Sequence, residues 1–135
     1  MSKNANAKRP PLIYACSGCS NVAQLANNVA VALDRTGLAE MSCIAGVGGG
    51  VKSLVKKAQS ERDIIAIDGC ALACAKACLA HAGVEATHHI QLADWHYKKR
   101  YHSDYSQDDV DQVVERMIEN YKLTQDASQT LADSA

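Results

Sequence analysis

The stretch DIIAIDGCALACAKACLAHAG, residues 63–83, changes character part-way along. DIIAID is a short apolar run suited to a strand buried on both faces of a sheet. The alanine-rich residues 71–82 that follow are strong helix formers, and Gly83 supplies a stop. A strand running straight into a helix is half of a βαβ unit, so the rest of the chain is read for more of the same.

Upstream, Pro10 and Pro11 lead into LIYAC, a second buried strand. Ser20 is a good N-cap residue for a helix whose apolar positions Val22, Leu25, Ala26, Val29 and Leu33 recur at helical spacing, with Gly37 at the stop. AEMSCIAG reads as a strand, the glycines of residues 46–50 as a loop, and Val51, Leu54, Val55 and Ala58 as one face of a helix. Downstream, THHIQLAD reads as the fourth strand. A polar, tyrosine-bearing loop then precedes a last helix capped by Ser106 or Asp108, with Val110, Val113, Val114, Met117, Ile118 and Tyr121 on one face. Strands and helices alternate throughout. The expected fold is therefore α/β: a single three-layer domain with a four-stranded parallel sheet, order 2-1-3-4, and helices on both faces. Residues 10–123 form this domain, and residues 1–9 and 124–135 are polar segments expected to be loose. In that order the first and third strands are neighbours, and ligands of such sheets sit at the carboxyl ends of the strands where the order reverses.

With 135 residues the chain suits one domain, and with 4% aromatic residues and no Phe its core must be aliphatic. A net charge of −1 gives no reason to expect nucleic acid or a membrane surface as partner. No apolar run reaches signal-peptide or membrane-span length, so the expected location is cytoplasmic. In a reducing compartment six cysteines are metal ligands, reactive thiols or core residues rather than a disulfide framework.

Cys16 and Cys19 form a Cys-x-x-Cys turn between a strand end and a helix start, and Cys70 and Cys74 occupy the matching place after the third strand. Neighbouring strands lie roughly 5 Å apart, so four thiolates from the two turns can converge on one ion. Zinc (Zn2+) takes four soft ligands as a tetrahedron and is the expected cofactor. Amides at two helix N-termini are expected to favour the thiolate forms. The rival is redox or sulfur-transfer chemistry with Cys16 or Cys70 as nucleophile, although thioredoxin-like sites also need a cis-proline beside the thiols, which this sequence does not offer. An iron-sulfur cluster suits four cysteines equally well by count. A small cysteine phosphatase needs an arginine six residues after its nucleophile, and six after Cys16 stands Val22.

Cys78 lies about 12 Å along a helix from Cys70, too far to share a mononuclear ion, and reads as a core thiol. Cys43, near the end of the second strand, reads as core or as an additional ligand or redox thiol. Asp68 and Gly69 support the ligands, Asp68 by accepting hydrogen bonds from amides of the cysteine loop. The run GVGGGVKS resembles a phosphate loop, but Val51 stands where that pattern needs glycine. Gly48, Gly49 and Gly50 remain an anion-binding loop or a plain turn. His88 and His89 point to opposite faces of one strand and do not ligate together. The loop carrying Trp95, His96, Tyr97, Tyr101, His102 and Tyr105 is a lid, a solvated loop or a subunit contact, the last implying a homodimer.

Asp68-Gly69-Cys70, with Cys16-x-x-Cys19 upstream and Cys74 downstream, resembles the DGC domain family, whose members are taken to bind zinc. The phrases CSGCSNVAQLANNVA, MSCIAGVGGG and IDGCALACAKACL carry the resemblance. It implies a small stand-alone domain with four chelating cysteines at Cys16, Cys19, Cys70 and Cys74, and leaves the biological role and the part of Cys43 open.

Overall fold

Residues 9–125 are described by a computed structural model, so residues 1–8 and 126–135, most of the two segments expected to be loose, lie outside the described residues. The apolar tetrapeptide Leu12–Ala15 is strand β1, every residue of it buried. Ser20 then caps helix α1, Asn21–Arg35, its side chain accepting the Ala23 N–H at 3.1 Å. Gly37, at φ 77, ends the helix: the Leu38 N–H reaches back to Leu33 O, a closure that needs a left-handed residue in between. Strand β2 is Glu40–Met41, followed by helices α2, Ile44–Gly48, and α3, Lys52–Ala58. Strand β3, Ile64–Asp68, leads to helix α4, Cys74–His81. Strand β4, His88–Gln91, passes through a 3-10 turn, Leu92–Trp95, towards helix α5, Gln107–Tyr121, capped by Ser106.

The sheet has the order β2-β1-β3-β4 with every pairing parallel, which is the order expected from the alternation of strands and helices. Ile13, Ala15, Ile65 and Ile67 point to one face and pack against Leu25, Val29 and Leu33 of α1 and Val113 and Met117 of α5. Leu12, Tyr14, Ile64 and Ala66 point to the other, where Val47, Ala58 and Leu79 arrive from α2, α3 and α4. Both faces of the central strands are therefore buried, as the uninterrupted apolar runs require.

Three local expectations are corrected. The second strand keeps only two residues and residues 44–48 are helical, because the glycines there serve packing rather than a loop. A Cβ at Gly46 would overlap Leu54 Cδ1 and one at Gly48 would lie 2.7 Å from Cys78 Sγ, so both glycines sit where α2 meets α3 and α4 at close range. Helix α4 starts at Cys74 rather than residue 71, since Ala73 is left-handed at φ 51. The fourth strand ends at Gln91, where the 3-10 turn takes over.

Candidate functional site

The carboxyl ends of β1 and β3 are adjacent, with Ala15 registered against Ile67, and both cysteine turns leave the sheet there. Cys16 follows β1 directly, its N–H donating to Ile67 O at 3.0 Å. Its thiol turns inward and accepts the Gly69 N–H at 3.2 Å, so the first turn is clasped by the second. Cys16 is buried, Cys70 and Cys78 are half-buried, and Cys19, Cys43 and Cys74 are exposed; all six are free thiols.

Burial pushes the Cys16 thiol up from 9.0 to about 11. The Gly69 amide works in the opposite direction, while Asp68 and the Cys74 and Cys70 thiols add to the rise. The two turns therefore lie within each other's electrostatic reach, yet the expected activation of this thiol by helix amides does not operate: desolvation outweighs it. At pH 8 such a thiol is ionised to about one part in a thousand, against about one in ten for a thiol at 9.0. Iodoacetamide should accordingly label Cys16 about a hundredfold more slowly than an ordinary thiol, and last of the six by peptide mass mapping. Prompt labelling of Cys16 would contradict its burial.

Asp68, the last residue of β3, is only 1% exposed. Helix α4 has no capping side chain of its own, because Ala73 cannot supply one, and Asp68 takes that task. Its Oδ1 accepts the Ala75 N–H at 2.7 Å and its Oδ2 the Lys76 N–H at 3.1 Å, with His89 Nε2 2.8 Å from Oδ2. The amides it meets thus belong to the first turn of α4, beside Cys74, and through them Asp68 fixes where that thiol begins its helix. His88, on the opposite face of β4, stacks on Tyr121 with ring centroids 4.2 Å apart.

The tyrosine-bearing loop is pinned over the same edge. Asn21 Nδ2 donates to Lys98 O at 2.9 Å, the Arg100 N–H returns to Asn21 Oδ1, and Ser20 bridges to Tyr101. This fixes Lys99, whose Nζ donates to Cys70 Sγ at 3.5 Å and lies 5.0 Å from the centre of the Tyr101 ring. Contacts with Tyr101 first and Cys70 second push the lysine's pKa up.

Cys43 precedes α2 at the end of the neighbouring strand β2, and Cys78 lies on α4 against Gly48. Burial, then Cys74 and Asp68, raise the pKa of Cys78. The amides of Gly49, Gly50 and Val51 already donate to Ala45 O, Val47 O and Gly46 O. Among the described residues no group of three or more His, Cys, Asp or Glu side chains is arranged to hold a metal ion as it stands. The donor chemistry suits a soft ion, and the side chains are not gathered into a coordination shell.

The sequence did not indicate the contact of His89 with Asp68, that of Lys99 with Cys70, or the part of Asn21. His89 was open to inference once Asp68 is set opposite Gln91, since the residue two before Gln91 is its diagonal neighbour on the same face. Nothing local marks Lys99, which reaches Cys70 only through the Asn21 clasp.

These features define a class: a single α/β domain with free thiols grouped at the strand ends where the order of a parallel sheet reverses. The DGC domain model matches residues 12–117, and the chain belongs to the DGC domain family. Over 111 residues it is 55% identical to the anaerobic and virulence modulator AnvM of Pseudomonas aeruginosa, an alignment covering 80% of this chain and 85% of that protein. No solved structure matches the chain. Among the described residues no helix is long and apolar enough to cross a membrane.

Proposed function

We propose that this protein is a cytoplasmic regulatory domain that binds zinc through Cys16, Cys19, Cys70 and Cys74, in a structural, storage or sensing capacity. The observation that carries the reading is the clasp of Cys16 by the Gly69 amide, which holds the first cysteine turn against the second. Two turns remote in sequence thereby present soft donors at one edge. Cys19 and Cys74 are exposed, and in this reading they turn towards the other two when the ion binds. Bound there, the ion would neutralise four thiolates and tie β1 to α4. Four protein ligands leave no position for water, which favours a non-hydrolytic role. The name of the Pseudomonas relative, an anaerobic and virulence modulator, agrees with a thiol site that oxidants can reach. The partners in this reading are the metal ion and a second copy of the chain, met through the tyrosine-bearing loop, and include neither nucleic acid nor a membrane.

The contact between Lys99 and Cys70 supports a second reading, a thiol enzyme with Cys70 as nucleophile. Elemental analysis of protein purified without chelator or reductant separates the two. About one zinc ion per chain is expected, lost in Cys16→Ser and in Cys70→Ser, with chelation lowering the thermal midpoint. Metal-free protein in which Cys70 reacts far faster than the other thiols would favour the enzyme, and a brown chromophore containing iron and sulfide would replace zinc with a cluster.

A further inference from the structure

A cavity of about 790 Å3 opens between α3 and α4, and none of the four cysteines of the proposed zinc site lines it. Val47 is buried, and Val55 and Ala82 are half-buried, giving the cavity an apolar inner wall. Lys52, Lys56 and His81 are exposed and edge it. Lys52 and Lys56 stand one helical turn apart, on the same side of α3. Neither has an ion-pair partner among the described residues, whereas the adjacent Lys57 is paired with Glu40. No Asp or Glu lines the cavity, and Ser53 and Gln59 add further hydrogen-bonding groups. Gln59 Nε2 also donates to Ala82 O at 2.9 Å, which ties the two helices together beside the opening.

Cations gathered over an apolar wall, in a chain of net charge −1, select an anion that also has a hydrocarbon body. The volume is in the range of small-molecule sites, roughly 300–1,000 Å3. No Phe, Tyr or Trp side chain lines it, and a single exposed imidazole, His81, is a poor platform for a nucleobase. The amides of the neighbouring glycine turn are already hydrogen-bonded, so the holding groups are side chains. We propose that this cavity binds a medium-chain carboxylate, its head group between Lys52, Lys56 and His81 and its chain against Val47, Val55 and Ala82. No cysteine lines the site.

The test is titration of decanoate into the full-length protein, followed by amide chemical shifts and calorimetry. Saturable binding is expected, with shifts concentrated in α3 and around His81. The double variant Lys52→Glu, Lys56→Glu should weaken it by about tenfold or more, as removal of charge-assisted contacts does. Decanol, with the same body and no charge, should bind at least about tenfold more weakly than decanoate. An unchanged thermal midpoint would show that the double variant remains folded, and Val55→Asp, which puts a charge on the apolar wall and repels the carboxylate, should also weaken binding about tenfold or more. Binding that does not saturate, that shifts other residues, or that is indifferent to the charge reversal would overturn the proposal. Loss of metal in Cys16→Ser should leave decanoate binding intact.

Discussion

Asp68→Ala is expected to lower the free energy of unfolding by about 2–5 kcal/mol, as a helix cap is lost and buried donors are left without an acceptor. The carboxylate is 1% exposed and meets two amides and an imidazole. Alanine would leave the buried Ala75 N–H and the part-buried Lys76 N–H at the start of α4 without their acceptor. Losing a helix cap alone costs about 0.5–2 kcal/mol, and stranding buried donors adds about 1–3 kcal/mol. Against a total stability of about 5–15 kcal/mol, the variant should be marginal.

Asparagine at this position separates the contributions. Its single carbonyl oxygen can serve the Ala75 amide, but its NH2 group then opposes the Lys76 N–H and can be met only by a neutral His89 nitrogen. Asp68→Asn should therefore fall between the wild type and alanine, and His89→Ala, which leaves both amides capped, should cost only about 1 kcal/mol. Urea unfolding followed by far-ultraviolet circular dichroism measures all three. An alanine variant within about 1 kcal/mol of the wild type would mean that α4 finds another cap and that the carboxylate does not set its start.

Most of the architecture was legible because it follows from period and punctuation. The apolar runs, the caps at Ser20 and Ser106 and the stop at Gly37 are local signals, and each is used as such. The strand order followed from one further constraint, that a parallel sheet needs helices on both faces. What sequence could not convey was why a glycine is present. Gly46 and Gly48 read as loop residues because bare backbone usually marks a turn, but they are small to admit Leu54 and Cys78 from other helices, a fact of tertiary contact. The site divides in the same way. The topology brings the two cysteine turns to one edge, while the inward rotation of Cys16 and the arrival of Lys99 depend on clasps made by residues about 50 and 80 positions away in the chain, beyond the reach of any local pattern.

Gly69→Ala is expected to be at least as damaging as the loss of Asp68, for a different reason. A Cβ at this position would lie 2.7 Å from both the carbonyl carbon and the oxygen of Val22, and 2.9 Å from Ala23 N. All three are backbone atoms in the first turn of α1, so no side chain can rotate out of the way. Either α1 tilts off the sheet or the end of β3 withdraws from it, and both break the Gly69 N–H contact with Cys16 Sγ. The Gly69 carbonyl, which accepts the Ala93 N–H at 3.1 Å, would be dragged along. Overpacking of this kind costs about 1–3 kcal/mol when side chains can yield, and more is expected against two rigid elements. Gly48→Ala is the matched control. Its Cβ meets only the Cys78 side chain, Sγ at 2.7 Å and Cβ at 3.4 Å; the sulfur can turn away, and alanine is the better helix former, so the net change should be small. Thermal unfolding compares the two stabilities, and iodoacetamide labelling supplies a second reading. In any Gly69→Ala protein that still folds, the displaced turn should uncover Cys16, which would then be modified far faster than in the wild type. A variant of wild-type stability with Cys16 still protected would refute the close backbone approach, and with it the clasp that joins the two cysteine turns.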